Sequence, residues 1–169
     1  MMTNLETRIQ QLEDLEAIRR LKHYYYCHCV DRTVAGEIAA IDETISRFTD
    51  DIVADFTGLP LAVGKEAVAE FYARGVPAFL SWCQHRVMND VIDIAGDTAT
   101  ATWYCDVPCT FRAGNPTGVV GSGFINGRYQ EEYRREDGVW KWQRITALLD
   151  TQRSFEDNWT DASQVVSNR

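Results

Sequence analysis

A chain of 169 residues and 19.3 kDa, 45% hydrophobic and 25% charged, has the size and composition of one globular domain with its own core. Its 17 basic and 25 acidic residues leave a net charge of −8, which disfavours nucleic acid and anionic lipid as partners. No run of about 18 apolar residues is present to cross a membrane. The charged opening MMTNLETRIQQLEDLEAIRRL lacks the apolar stretch of a signal peptide, so the expected location is cytoplasmic.

A first helix is predicted from Asn4 to Asp31, because Leu5, Ile9, Leu12, Leu15, Ile18, Leu21 and Tyr25 recur at three- and four-residue steps. Asn4 or Thr3 can cap it. A second helix is expected over Ala35 to Phe48, with Ile38, Ile41, Ile45 and Phe48 on one face. Ile52 to Phe56 reads as a strand broken by Gly58 and Pro60. Lys65 to Phe79 reads as a third helix facing inward through Val68, Phe71, Tyr72 and Val76, with Gly75 and Pro77 weakening its last turn.

From His85 onward the pattern is all β. Two strands meet at Ala95-Gly96-Asp97, and the second alternates Ala99, Ala101, Trp103, Cys105, Val107, Cys109 and Phe111 with mostly polar neighbours. RAGNPTGVVGSG is a loop, after which Phe124 to Arg135 and Val139 to Leu149 form a hairpin across Asp137-Gly138. Helices first and a long meander after them predict an α+β domain, with three helices against a curved antiparallel sheet and a pocket at its mouth. The domain is expected over residues 1–150, followed by a polar tail, 151–169. Phe56, Phe71, Tyr72, Trp82, Trp103 and Phe124 are expected mainly in the core, a few lining an apolar cavity.

The stretch YYYCHCVDR, from Tyr24 to Arg32, raises three possibilities: a metal site, a redox site, or a helix end carrying a catalytic acid. On a helix, Cys27 and Cys29 point about 200° apart and cannot grip one ion. A zinc site would also need a second ligand pair. Five cysteines, an odd number, with no export signal read as reduced and buried thiols. Asp31 sits near a helix C-terminus, where the dipole favours cations over carboxylates. His85 begins a strand, and alternation groups it with Val87, Asn89 and Val91 as a pocket lining. Phosphate-cradling and nucleophile-elbow motifs are absent.

Five segments, LEDLEAIRRLKHYYYCHCVD, FTDDIVADFTG, GKEAVAEFY, HRVMND and YQEEYRREDGVWKWQRI, together resemble the SnoaL-like family, in the superfamily of nuclear transport factor 2 and ketosteroid isomerase. The resemblance leans towards the branch of scytalone dehydratase, hexachlorocyclohexane dehydrochlorinase and bile-acid 7α-dehydratase. It implies a cone-shaped, cystatin-like α+β barrel and a catalytic Asp–His dyad, which falls on Asp31 and His85. Tyr26 falls on a tyrosine that polarises the substrate oxygen. The expectation is therefore a dehydratase-type lyase acting on an apolar, cyclic, steroid- or polyketide-like molecule. The other classes left open are an isomerase or cyclase and a non-catalytic binding or oligomerisation module.

Asn89, Phe56, Trp103, Phe71 and Val107 are the expected substrate contacts. No metal and no organic cofactor is expected, since elimination needs only placed protons. The resemblance also implies a homo-oligomer, a trimer before a dimer. Phe56 stands where relatives carry a tyrosine, Val107 where one carries an acid, and Leu149 near a late arginine, so the substrate is expected to differ from theirs.

Overall fold

A computed structural model describes residues 4–156. Thr3, the alternative cap, and residues 157–169 of the expected tail lie outside the described residues. The chain is α+β, as expected. Three helical segments pack on a seven-stranded sheet of order β2-β1-β7-β6-β5-β3, with β4 also pairing with β5. The strands are β1 Phe48–Phe56, β2 Ala62–Val63, β3 Leu80–Cys83, β4 Arg86–Ala95, β5 Thr98–Phe111, β6 Ser122–Glu136 and β7 Val139–Ser154. All pairings are antiparallel except β1 with β7. No helix among the described residues is long and apolar enough to cross a membrane.

The first helix runs through residues 4–34, past the expected end at Asp31, and its middle, Leu21–His28, is π-helical. Ile18, Lys22, Tyr26, Val30 and Val34 form its buried stripe. Four-residue steps drift by about 40° each on an α-helix; the wider π turns take up that drift and keep the stripe on the sheet. A strict 3.6-residue period misassigns this stretch. Leu5, Ile9 and Leu12 are exposed, whereas Asp14 is buried and accepts from Trp140 Nε1 at 2.9 Å and Arg135 at 2.6 Å.

The second helix is only Ala40–Ile45, because residues 35–39 turn through Gly36 at φ +107°. Ile38 is exposed, and Phe48 begins β1 instead of ending a helix. The third helix covers residues 65–79 as expected, again with a π segment, Phe71–Gly75. Strand β7 continues to Ser154, beyond the expected Leu149.

Strand β5 alternates as expected, with Ala99 through Phe111 buried at every second residue. Trp82 is half exposed, at 48%, and not core. Phe124 leaves the core for the opposite face, edge-on to Phe155 at 5.2 Å. Gly127 marks a register shift between β6 and β7, and a Cβ there would stand 2.2 Å from the Leu148 carbonyl. The strands close up at this point as only glycine permits, which helps bend the sheet around the helices.

Candidate active site

Strands β3 and β4 form one interrupted edge of the sheet. Cys83 faces Cys109 and Arg86 faces Asp106, so the break at Gln84 and His85 lies opposite Val107 and Pro108. Gln84 donates its N–H to the Pro108 carbonyl at 3.1 Å. The next amide, that of His85, turns towards the free edge, as alternate amides of an antiparallel pair do. Asp31, in the last turns of the first helix, accepts it at 2.9 Å on Oδ2 and 3.2 Å on Oδ1.

The His85 ring closes the same contact, with Nδ1 lying 2.6 Å from Asp31 Oδ1. Its side chain is 8% exposed and that of Asp31 21%. The carboxylate thus grips both ends of one residue, and among the described residues nothing claims the other ring nitrogen, Nε2. Cys83, two residues before His85 and so on the same strand face, donates its thiol to Asp31 Oδ1 at 3.2 Å. Sequence reasoning missed this residue, counting it only among the five reduced, buried thiols; its strand spacing from His85 was the available signal.

Tyr26 is buried, and its ring stands edge-on to His85 with centroids 5.6 Å apart. Its hydroxyl accepts from Tyr72 at 3.2 Å and donates to Tyr129 at 3.4 Å, so three phenols converge beside the Asp31–His85 pair. Beneath them lies a fully buried ion pair, Lys22 Nζ to Glu131 Oε1 at 2.6 Å. The ammonium also sits 3.7 Å from the Tyr26 ring centroid and 3.3 Å from that of Tyr129. Glu131 accepts further from Trp142 Nε1 at 3.2 Å and from the Tyr133 hydroxyl. None of this network was expected.

Burial drives the phenols of Tyr26, Tyr72, Tyr129 and Tyr133 well above the ordinary tyrosine range, with neighbouring phenols, thiols and Glu131 adding to the effect. They are neutral donors at any physiological pH. Each has a folded pKa above its unfolded value near 10, so the associated stability is complete below pH 10 and is lost as pH rises beyond it. A spectrophotometric titration is therefore expected to leave four of the seven tyrosines protonated above pH 10, until the chain unfolds. A smooth ionisation of all seven in the folded state would show the network to be open to water. Burial also pushes the Cys27 and Cys109 thiols up to about 12 and that of Cys105 to about 11.

The expected substrate contacts divide. Phe56 and Phe71 pack together at 4.9 Å, half-buried, and Val107 is buried opposite the β3–β4 break. Trp103 is fully buried and belongs to the deep network, donating Nε1 to the Tyr133 hydroxyl at 3.2 Å. Asn89 does not share a face with His85 and Val87. The register of β4 shifts between Met88 and Val91, Asn89 takes φ +53°, and its side chain is exposed. An extra residue in the strand inverts the alternation. An open groove of about 320 Å³ runs over residues such as Val91, Asp93, Thr102, Gln130 and Arg144, mostly on the outer face of the sheet, and is not the hollow expected at its mouth.

The family description "SnoaL-like domain" matches residues 10–146 of this chain. The chain belongs to the SnoaL-like family. Solved structures similar to this SnoaL-like chain include hexachlorocyclohexane dehydrochlorinase type 3 from Novosphingobium barchaimii LL02, at 19% identity and TM-score 0.73, covering 90% of this chain and 97% of that one. A protein provisionally named a scytalone dehydratase, from Novosphingobium aromaticivorans DSM 12444, is 19% identical with TM-score 0.70, over 88% and 91% of the two chains. Another, provisionally named an aromatic ring hydroxylase and from Novosphingobium aromaticivorans, is 31% identical with TM-score 0.66, over 80% and 88%. Within the SnoaL-like fold these relatives share, Asp31 comes from the first helix and His85 from the broken edge strand.

Proposed function

We propose that this SnoaL-like chain is a lyase of the dehydratase type, eliminating water or a like leaving group from an apolar cyclic small molecule. The 2.6 Å contact between Asp31 Oδ1 and His85 Nδ1 carries the reading. With Nδ1–H held by the carboxylate, Nε2 is the basic nitrogen, and it takes the proton from a carbon beside an electron-withdrawing group. Asp31 stabilises the imidazolium that forms. Tyr26, kept neutral by burial, turns its one hydroxyl proton from Tyr129 to the oxygen that gains charge, while Tyr72 continues to donate to it. The imidazolium then returns the proton to the departing hydroxyl, which leaves as water. Phe56, Phe71 and Val107 supply the apolar wall for the ring of the substrate. The dehydratase and dehydrochlorinase names of two similar structures agree with elimination chemistry.

A second reading is non-catalytic. Asp31 already accepts the ring, the amide and a thiol, which by itself makes a strut between the helix and the edge strand. One experiment decides. Cyclic β-hydroxyketones are incubated with the protein in D₂O and followed by proton NMR and mass spectrometry. The expected result is loss of water with the wild type and none with His85→Gln. A product that gains oxygen would point instead to the chemistry named for the 31%-identical relative. No turnover, with His85 ring signals unmoved by any ligand, would leave the strut.

A further inference from the structure

We propose that Asp31, Cys83 and His85 form a binding site for one thiophilic divalent cation of the zinc class. The three ligand atoms already stand together. Asp31 Oδ1 is 2.6 Å from His85 Nδ1 and 3.2 Å from Cys83 Sγ, and the sulfur and nitrogen are 3.9 Å apart. A tetrahedral ion with bonds of about 2.0–2.3 Å has ligand-to-ligand edges of about 3.3–3.7 Å. Sub-ångström adjustments therefore admit it. The site draws on two elements: the strand spacing sets Cys83 and His85 side by side, and the helix brings Asp31 across them.

The donor set selects the metal. One sulfur, one imidazole nitrogen and one carboxylate oxygen suit zinc and its congeners, whereas magnesium and calcium require oxygen cages. A carboxylate and a thiolate balance the two positive charges, leaving a neutral site where Cys83 is buried. The His85 amide, holding Asp31 Oδ2 at 2.9 Å, orients the carboxylate from behind, as outer partners of metal ligands do. The partly exposed side of Asp31 and His85 leaves the fourth position to water.

Binding releases one proton, from the Cys83 thiol. The imidazole remains neutral: its Nδ1 lone pair goes to the metal and its proton moves to Nε2. Asp31 binds as the carboxylate. The protonated Nε2 no longer accepts a proton, so an occupied site is a silent one. This consequence, unlike the binding itself, rests on the base role proposed for His85.

Cobalt(II) is the probe, added to the full chain. The expected result is one equivalent bound, with a thiolate-to-cobalt charge-transfer band and tetrahedral visible absorption, both displaced by zinc. Cys83→Ala is expected to lose the charge-transfer band and at least about 10–100-fold in affinity, since even outer-shell changes cost that much. Cys27→Ala, which alters a buried thiol outside the cluster, is expected to keep both. Circular dichroism checks that each variant is folded; should Cys83→Ala fail to fold, Cys83→Ser makes the same comparison, and His85→Ala is expected to weaken binding while keeping the thiolate band. A wild type that binds no cobalt, or a band that survives the loss of Cys83, overturns the site. If the ion binds and turnover continues, the base assignment falls and the site stands. If no ion binds while His85→Gln is inactive, the catalytic reading stands alone.

Discussion

Asp31→Asn is expected to lower kcat by about 10⁴-fold on any substrate the wild type converts, the effect of the equivalent exchange in serine proteases. The carboxylate accepts from the His85 ring, from the His85 amide and from Cys83. An asparagine offers one oxygen and turns an NH₂ towards a donor. The ring then favours the tautomer with hydrogen on Nε2, which is the nitrogen proposed above as base. The fold is expected to survive at a loss of about 1–3 kcal/mol, the usual cost of a buried donor left unpaired. Nitrogen-15 shifts of His85 report the tautomer directly. A changed tautomer with undiminished kcat would remove Asp31 from the mechanism.

Lys22→Met is expected to cost about 3–5 kcal/mol, the range for breaking a buried ion pair from one side. Both side chains are fully buried, and the ammonium lies over two tyrosine rings as well as 2.6 Å from Glu131. The loss has two sources: the cation–π contacts, worth about 2 kcal/mol or more when desolvated, and the carboxylate left charged without a counter-ion. Trp142 and Tyr133 still donate to Glu131, but neither neutralises it. Lys22→Met with Glu131→Gln is therefore expected to recover at most about 1–3 kcal/mol, the part owed to the orphan charge, since the acceptor remains but the cation–π contacts do not return. Urea unfolding of the two variants measures the difference. Equal destabilisation in both would mean that the ring contacts, and not the charge pair, hold this part of the core.

The features legible in advance were those a local pattern encodes. The alternation of β5 made that strand readable residue by residue, and the two Gly-containing turns located both hairpins. Asp31 and His85 could be singled out, but through a family resemblance; no local pattern pairs two residues 54 positions apart. Patterns failed where a polar side chain faced inward. Asp14, Lys22 and Glu131 carry no local sign of burial, because a buried charge is tolerable only with a partner, and their oppositely charged partners lie over a hundred residues away. Asn89 failed for a smaller reason: one extra residue in β4 inverted the count of two.

The sequence by itself determined the fold class and the order of the elements, since apolar spacing and turn residues act over a few positions. The tertiary structure decided which groups meet. It ran the first helix past Asp31 on widened π turns, set Cys83 beside Asp31 and His85, and gathered Tyr26, Tyr72 and Tyr129 around a buried cation. The physical reason is range: periodicity is a property of one segment, whereas the cost of burying a polar group is settled only by the segment packed against it.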